Sequence, residues 1–172
     1  RAINHISYGA TMITMHIIKL DTRISIAKLL NQANLTGLAA EIGVWRGDFS
    51  IPFLDIWKGQ KLYLVDPWMK LDDYDDIRNN EYDPNDMLYI TEQVQRFGDR
   101  TELIQSTSEE AAIFLPSNLD FVYVDANHSY EHTKQDLNLW WNKLNQGGLL
   151  AGHDIFNETH PGVHQAVFEF ME

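Results

Sequence analysis

Five short apolar runs, each followed by a stretch with helical spacing, constrain this chain more than any other feature. The runs are 37–44, 61–65, 101–105, 120–124 and 149–151. Between them lie amphipathic segments. The first is capped by Asp21 or Thr22, carries an apolar stripe of Ile24, Ile26, Ala27, Leu29 and Leu30, and ends at Asn34 and Gly37. Further helices are expected over 48–58, with Pro52 in the first turn, over 84–97, and from Ser108, as N-cap, through Leu115. A long one runs from Glu131 to Asn145, stopped by Gly147 and Gly148, and a last one covers 162–171. Strands this apolar are buried on both faces. Alternating with helices, they predict an α/β fold: a doubly wound, mostly parallel, Rossmann-like sheet with helices on both faces.

At 172 residues the chain suits one domain, placed at 21–172. Residues 1–20 are set apart. Thr11–Met15 reads as an apolar lead-in to a helix or as a leader-like tail, and no function is assigned to the segment. The formal net charge of −12 supplies no basic face for phosphates, so nucleic acid is not an expected partner. Anionic membranes are disfavoured for the same reason, and no apolar run is long enough to span a bilayer. The absence of cysteine removes disulfides and thiolate metal sites and fits a cytoplasmic protein.

The richest motif is Glu41-Ile-Gly43-Val-Trp45-Arg-Gly47-Asp-Phe-Ser50. It follows a strand and opens a helix. Gly43 would permit a tight turn and close backbone approach to a ligand, and Gly47 would let strand and helix pack closely. Asp66 ends the next strand, where a carboxylate can accept hydrogen bonds from both ribose hydroxyls. It also precedes Pro67, and a turn-forming Asp is the plainer reading. A pyrophosphate needs open backbone N–H groups at a helix N-terminus. Trp45 stands where a dinucleotide turn has its middle glycine, and the Glu41 carboxylate disfavours phosphate. Glu41 suits instead the cationic amino-acid end of S-adenosylmethionine.

At these residues the chain resembles class I methyltransferases. The set Glu41–Gly47, Val65-Asp66-Pro67-Trp68, Val124-Asp125-Ala-Asn-His128-Ser-Tyr130-Glu131, Gly147-Gly148 and Gly152-His153-Asp154 resembles the branch that includes macrocin-type sugar O-methyltransferases, over about 37–171. The resemblance implies cofactor contacts from Glu41, Gly43, Trp45, Gly47, Ser50, Asp66, Ser108 and Asp125, with Gln105 to Ser108 near the adenine. It implies that Asp125 and Asp154, with His153 beside them, hold Mg²⁺ or another divalent cation, and that His128 is the base, with Asp125 in the catalytic set. Imidazole at His153 would favour a transition metal. The resemblance also implies a final antiparallel strand pair, which the sequence lacks after 171. The open sheet edge so left is a plausible contact for a homo-oligomer.

Plainer readings stand beside these. Asp125 to His128 can be only a turn, with Asn127 or Ser129 capping a helix. His153 can be a loop histidine, and His132, His160 and His164 read as surface residues. At least one of Trp140 and Trp141 is expected in the core, and Tyr130 either packs or lines a pocket. The segment 66–86 holds Asp66, Asp72, Asp73, Asp75, Asp76, Glu81, Asp83 and Asp86 against Lys70 and Arg78, with Trp68, Tyr74 and Tyr82. It reads as a solvated insertion or as a lid at a strand's carboxyl end. The expected function is an O-methyltransferase acting on a small hydroxylated acceptor. The alternatives are a non-catalytic ligand-binding module of the same fold and a nicotinamide-dependent oxidoreductase, which would want GxGxxG and a Tyr-x-x-x-Lys pair.

Overall fold

The computed structural model describes residues 2–7, 14–19, 22–71 and 82–172. Two strands come first, β1 (Ala2–Ser7) and β2 (Thr14–Lys19), then helix α1 (Arg23–Gln32). The expected alternation follows as β3 (Leu38–Ile42), α2 (Ser50–Leu54), β4 (Lys61–Asp66), α3 (Asp86–Val94), β5 (Thr101–Gln105), α4 (Ser108–Phe114), β6 (Leu119–Val124), α5 (Tyr130–Trp141), β7 (Leu144–Gly152) and α6 (Pro161–Phe170).

Strands β3 to β7 form a parallel sheet in the order β7-β6-β3-β4-β5. The chain winds outward from β3 through β4 to β5, then returns to β6 on the other side. That reversal opens a crevice at the carboxyl ends of β3, β4 and β6, where doubly wound sheets take ligands. Period-2 alternation sorts the strand residues between two cores. Ala39, Leu62, Leu64, Phe121, Tyr123 and Leu149 pack with α1, α2 and α3 through Leu30, Phe53, Trp57 and Ile90. Ala40, Ile42, Val65, Val122 and Leu150 pack with α4, α5 and α6 through Ala111, Leu137, Trp140 and Val167. Trp140 is fully buried, as expected of one of the tryptophan pair.

Several boundaries differ from the sequence reading. Helix α2 is shorter than 48–58, because side-chain hydrogen bonds to the preceding segment hold the chain after Leu54. Asn31 Oδ1 accepts from the Lys58 N–H at 2.9 Å, and Trp57 Nε1 donates to the Leu35 carbonyl at 2.9 Å. The N-cap of α4 is Thr107, not Ser108; its hydroxyl accepts from the Glu110 N–H and the Glu110 carboxylate answers at the Thr107 N–H. Of the two candidate caps for α5, Ser129 does the work. That helix stops at Trp141 rather than Asn145. Asn145 instead donates to the Asn118 carbonyl at 3.1 Å and to Asp120 Oδ1 at 2.8 Å, tying the start of β7 to β6. Gly147, at φ +81, then sits inside β7 rather than closing a helix.

Of the N-terminal segment, residues 2–7 and 14–19 form strands rather than a lead-in helix, and Thr11–Ile13 lie outside the described residues. β1 pairs antiparallel with β7, and β2 with β1, so the β7 edge is covered. This corrects the premise that this edge lies open for a second copy of the chain. No helix among the described residues is long and apolar enough to cross a membrane.

Candidate functional site

The turn after β3 is held by geometry that few residues tolerate. Gly43 (φ +87) donates its N–H to the Val65 carbonyl at 2.9 Å, and a Cβ there would overlap the backbone carbonyl of Asp125. The tight turn expected of Gly43 is thus fixed by the neighbouring strand end, and Gly43 also lines the pocket. Trp45, at the middle-glycine position, keeps a left-handed backbone with φ +49. A bulky residue there carries strain that the surroundings must offset. Three contacts do so. The Trp45 N–H reaches Asp66 Oδ2 at 2.9 Å, its indole Nε1 reaches Asp86 at 3.1 Å, and its carbonyl accepts from Trp68 Nε1 at 2.9 Å. Gly47 (φ +82) leaves room for the side chains of Ile90 and Ile51.

Asp66 binds this turn from the next strand. It accepts from the Val44 N–H at 3.0 Å and the Trp45 N–H on one oxygen, and from the Trp68 N–H at 2.8 Å on the other. Burial pushes its carboxyl up, against the pull of those three N–H groups. The turn-forming reading of Asp66 is thus realised. The residue also lines the pocket, so a ligand hydroxyl would meet a carboxylate already fixed in direction.

The pocket itself, about 260 Å³, lies over the crevice. Of the residues expected to touch a cofactor, Gly43, Trp45, Asp66, Ser108 and Asp125 line it. Glu41, Gly47 and Ser50 do not. The period-2 alternation of β3 turns Glu41 away from the crevice rim and under α2, where the Ser50 hydroxyl donates to its carboxylate; both are fully buried. Glu41 therefore does not line the pocket and binds β3 to α2. Of the 66–86 segment, residues 72–81 lie outside the described residues, so its reading as a lid or insertion is not addressed there. Its two ends are fixed: Trp68, Met69, Leu71 and Tyr82 line the pocket, and buried Asp86 accepts from Arg46 Nε at 2.5 Å as well as from Trp45.

Asp125, His128, His153 and Asp154 gather at the ends of β6 and β7, and of these four Asp125 lines the pocket while His128, His153 and Asp154 do not. His128 Nε2 lies 3.4 Å from Asp125 and 3.1 Å from Asp154; His153 Nδ1 lies 2.8 Å from Asp154 and 4.0 Å from Asp125. The side chains of Asp125, His128 and Asp154 are each less than a tenth exposed. Asp154 holds a left-handed backbone with φ +60. Burial pushes its carboxyl up, but hydrogen bonds from His128, His153 and Asn157 outweigh that and hold it well below the usual carboxylate range. The ligand atoms of Asp125, His153 and Asp154 all lie within 4.8 Å of one another. Two carboxylates and an imidazole at that spacing fit one divalent ion with little rearrangement.

Sequence reasoning missed three residues. His160, read as surface, stacks on His128 with ring centroids 4.2 Å apart. Nothing local in the sequence signals that contact. Asp86 is the buried anchor of an acidic run in which it does not stand out. Asp136 is buried on α5, lines the pocket and accepts the Ser108 hydroxyl, which in turn accepts from Trp140 Nε1 at 2.8 Å. It had a visible signal: Thr133, Asp136, Leu137 and Trp140 form the buried i, i+3, i+4, i+7 stripe of α5, and one member is charged.

This fold, with its ligand crevice at the β3 switch point, is that of class I S-adenosylmethionine-dependent methyltransferases. Residues 40–155 match the family described as methyltransferase domain, and the chain belongs to that family. Among solved structures, the chain is similar to cofactor-bound Rv0187 from MTB, at 15% identity and TM-score 0.65, covering 90% of this chain and 70% of that one. It is also similar to a Klebsiella pneumoniae protein provisionally assigned as an O-methyltransferase, at 17% identity and TM-score 0.63, covering 90% and 69%. Precorrin-6y C5,15-methyltransferase from Geobacter metallireducens aligns at 13% identity and TM-score 0.56, covering 95% and 74%. Identities this low show a shared fold. Among curated proteins, uncharacterized protein R132 of Acanthamoeba polyphaga mimivirus is 24% identical over 119 residues, 66% of this chain. The chain spans about half the length of that relative (49%).

Proposed function

We propose that the chain transfers a methyl group from S-adenosylmethionine to a hydroxyl oxygen of a small acceptor, of the sugar or polyhydroxylated natural-product kind. The carrying observation is the buried cluster of His128 between Asp125 and Asp154, of which Asp125 also lines the pocket. Asp66 would hold the ribose, with Ser106 to Ser108 at the base. The cofactor supplies an electrophilic methyl on a sulfonium. His128 Nε2 faces Asp125 and Asp154; it would be free to take the acceptor hydroxyl proton once those carboxylates turn to the cation, and their charge nearby would stabilise the imidazolium that forms. Asp125, His153 and Asp154 would hold a divalent cation; when bound, it would orient vicinal hydroxyls and make them more acidic. The imidazole in that set favours Mn²⁺, Co²⁺ or Zn²⁺ over Mg²⁺. The rest of the rate would come from placing oxygen in line with the methyl.

The test is methyl transfer to a panel of vicinal-diol acceptors, followed by mass spectrometry, with and without chelator. Oxygen-methylated product that disappears on chelation and returns with Mn²⁺ is the expected result. Turnover that survives full chelation removes the cation from the reading. Cofactor binding without turnover on any acceptor favours the non-catalytic module.

A further inference from the structure

His160 takes no part in the methyl transfer proposed above, yet the chain is folded so as to bring it to His128. Two turns carry the loop back from Asp154. The Asn157 N–H donates to the Asp154 carbonyl at 2.9 Å, and the His160 N–H donates to the Asn157 carbonyl at 3.0 Å. Asn157 Nδ2 also donates to Asp154 Oδ1 at 2.8 Å, which fixes that carboxylate within the same loop. Pro161 then opens α6. Gly162 lies so close to the chain before α5 that a Cβ would meet the Tyr130 nitrogen at 2.6 Å and the His128 carbonyl oxygen at 3.2 Å. The start of α6 is thereby seated on the backbone of His128. The two imidazoles stack, with ring centroids 4.2 Å apart and planes 22° from parallel.

One ring nitrogen of His128, one of His160 and one oxygen of Asp154 lie within 4.8 Å of one another. His128 and Asp154 already have nearly the spacing of two ligands on one ion. Their Nε2 and Oδ2 are 3.1 Å apart, and ligands about 2.0–2.2 Å from a tetrahedral Zn²⁺ lie roughly 3.3–3.5 Å from each other. We propose that His128, His160 and Asp154 form a second cation position, sharing only Asp154 with the position of Asp125, His153 and Asp154. Its donors are two imidazoles and one carboxylate, against one imidazole and two carboxylates at the other. That set selects Zn²⁺ or Co²⁺ and disfavours Mg²⁺, which prefers carboxylate and water oxygens. Three protein ligands leave a fourth tetrahedral place for water. The side chains of His128 and Asp154 are each 8% exposed, so the ion is shielded from bulk solvent. The position stands on these side chains and not on the methyl-transfer reading. Its consequence does rest on that reading: Nε2 is the nitrogen of His128 that faces Asp154, so Zn²⁺ there would hold the base out of the reaction.

The experiment is calorimetric titration with Zn²⁺ at about pH 7.5, where an ordinary imidazole is neutral. It compares wild type, His160→Ala and His153→Ala, beside nuclear magnetic resonance of the wild-type imidazoles. Each variant removes a ligand from one position only. The wild type should bind Zn²⁺, and His153→Ala should keep that affinity. His160→Ala should bind about 100-fold more weakly, since loss even of an outer-shell partner costs about 10–100-fold. Zn²⁺ should shift the imidazole signals of His128 and His160 and leave that of His164 in place. Absence of Zn²⁺ binding by the wild type overturns the proposal. So does an unchanged affinity in His160→Ala, or an equal loss in both variants, which would mean one merged site. A His160 signal that Zn²⁺ does not move overturns it even if the variant fails to fold. Cofactor binding is read separately, with S-adenosylhomocysteine, so the two readings fail independently.

Discussion

The glycine turn and the cluster at the ends of β6 and β7 satisfy their polar groups in opposite ways. At the glycine turn, Asp66 is held by three backbone N–H groups, and the turn it organises has left-handed residues at Gly43, Trp45 and Gly47. At the β6–β7 rim, Asp125, His128, His153 and Asp154 lean on one another's side chains, with Asn157 adding a bond to Asp154 at 2.8 Å. Backbone partners cannot leave without unfolding the turn. Side-chain partners can exchange one another for a metal ion, a substrate hydroxyl or a proton. The first is built to present a fixed shape, and the second to change its bonding during a reaction.

Each prediction attacks one side of that contrast. The largest effect is expected at the rim. His128→Ala should lower turnover by about 10²–10⁴-fold, as for loss of a general base, while S-adenosylhomocysteine affinity stays within about 3-fold. Equal losses in both would erase the distinction between turn and cluster. Next comes the turn. Gly43→Ala drives a Cβ into the Asp125 carbonyl at φ +87, so it should cost on the order of 3 kcal/mol or more of stability. Thermal denaturation should show a fall of roughly 10 °C; a variant that melts like the wild type would mean the turn is not rigid.

The smallest effect concerns Asp136, whose folded carboxyl titrates near 7. Its pKa is raised, so the folded state binds the extra proton between the ordinary carboxylate value and about 7. Stability from this group is therefore highest in acid and falls as pH rises through that window. Asp136→Asn, which stays neutral, should melt roughly 5–10 °C higher than wild type at pH 8 and nearly level with it at pH 4. An offset that does not change with pH would show that the buried carboxyl titrates normally.

Legibility in the sequence followed the range of the interactions. The parallel strands were readable because burial on both faces leaves near-continuous apolar runs, as in Leu119–Val124. The turn was readable because left-handed backbone leaves glycines behind. Trp45 hid the third such position, since its strain is offset by Asp66 and Asp86 from distant parts of the chain. The cap at Thr107 was open to reading, because Thr107 and Glu110 have capping-box spacing, but adjacent Ser108 competes for the same role. The strands β1 and β2 were not, because their structure is defined by pairing along β7 at the other end of the sequence. The rim was only half legible. Asp125, His128, His153 and Asp154 follow strand ends and so converge by topology, whereas His160 reaches His128 through the loop before α6 and leaves no local pattern.

That the pocket takes S-adenosylmethionine is the central claim. Calorimetric titration of the wild-type chain with S-adenosylhomocysteine and, separately, with NAD tests it most directly. One-to-one binding of the first, weakened about 10-fold or more by Asp66→Asn, and no binding of NAD is the expected result. Binding of NAD alone, or of neither, would contradict it.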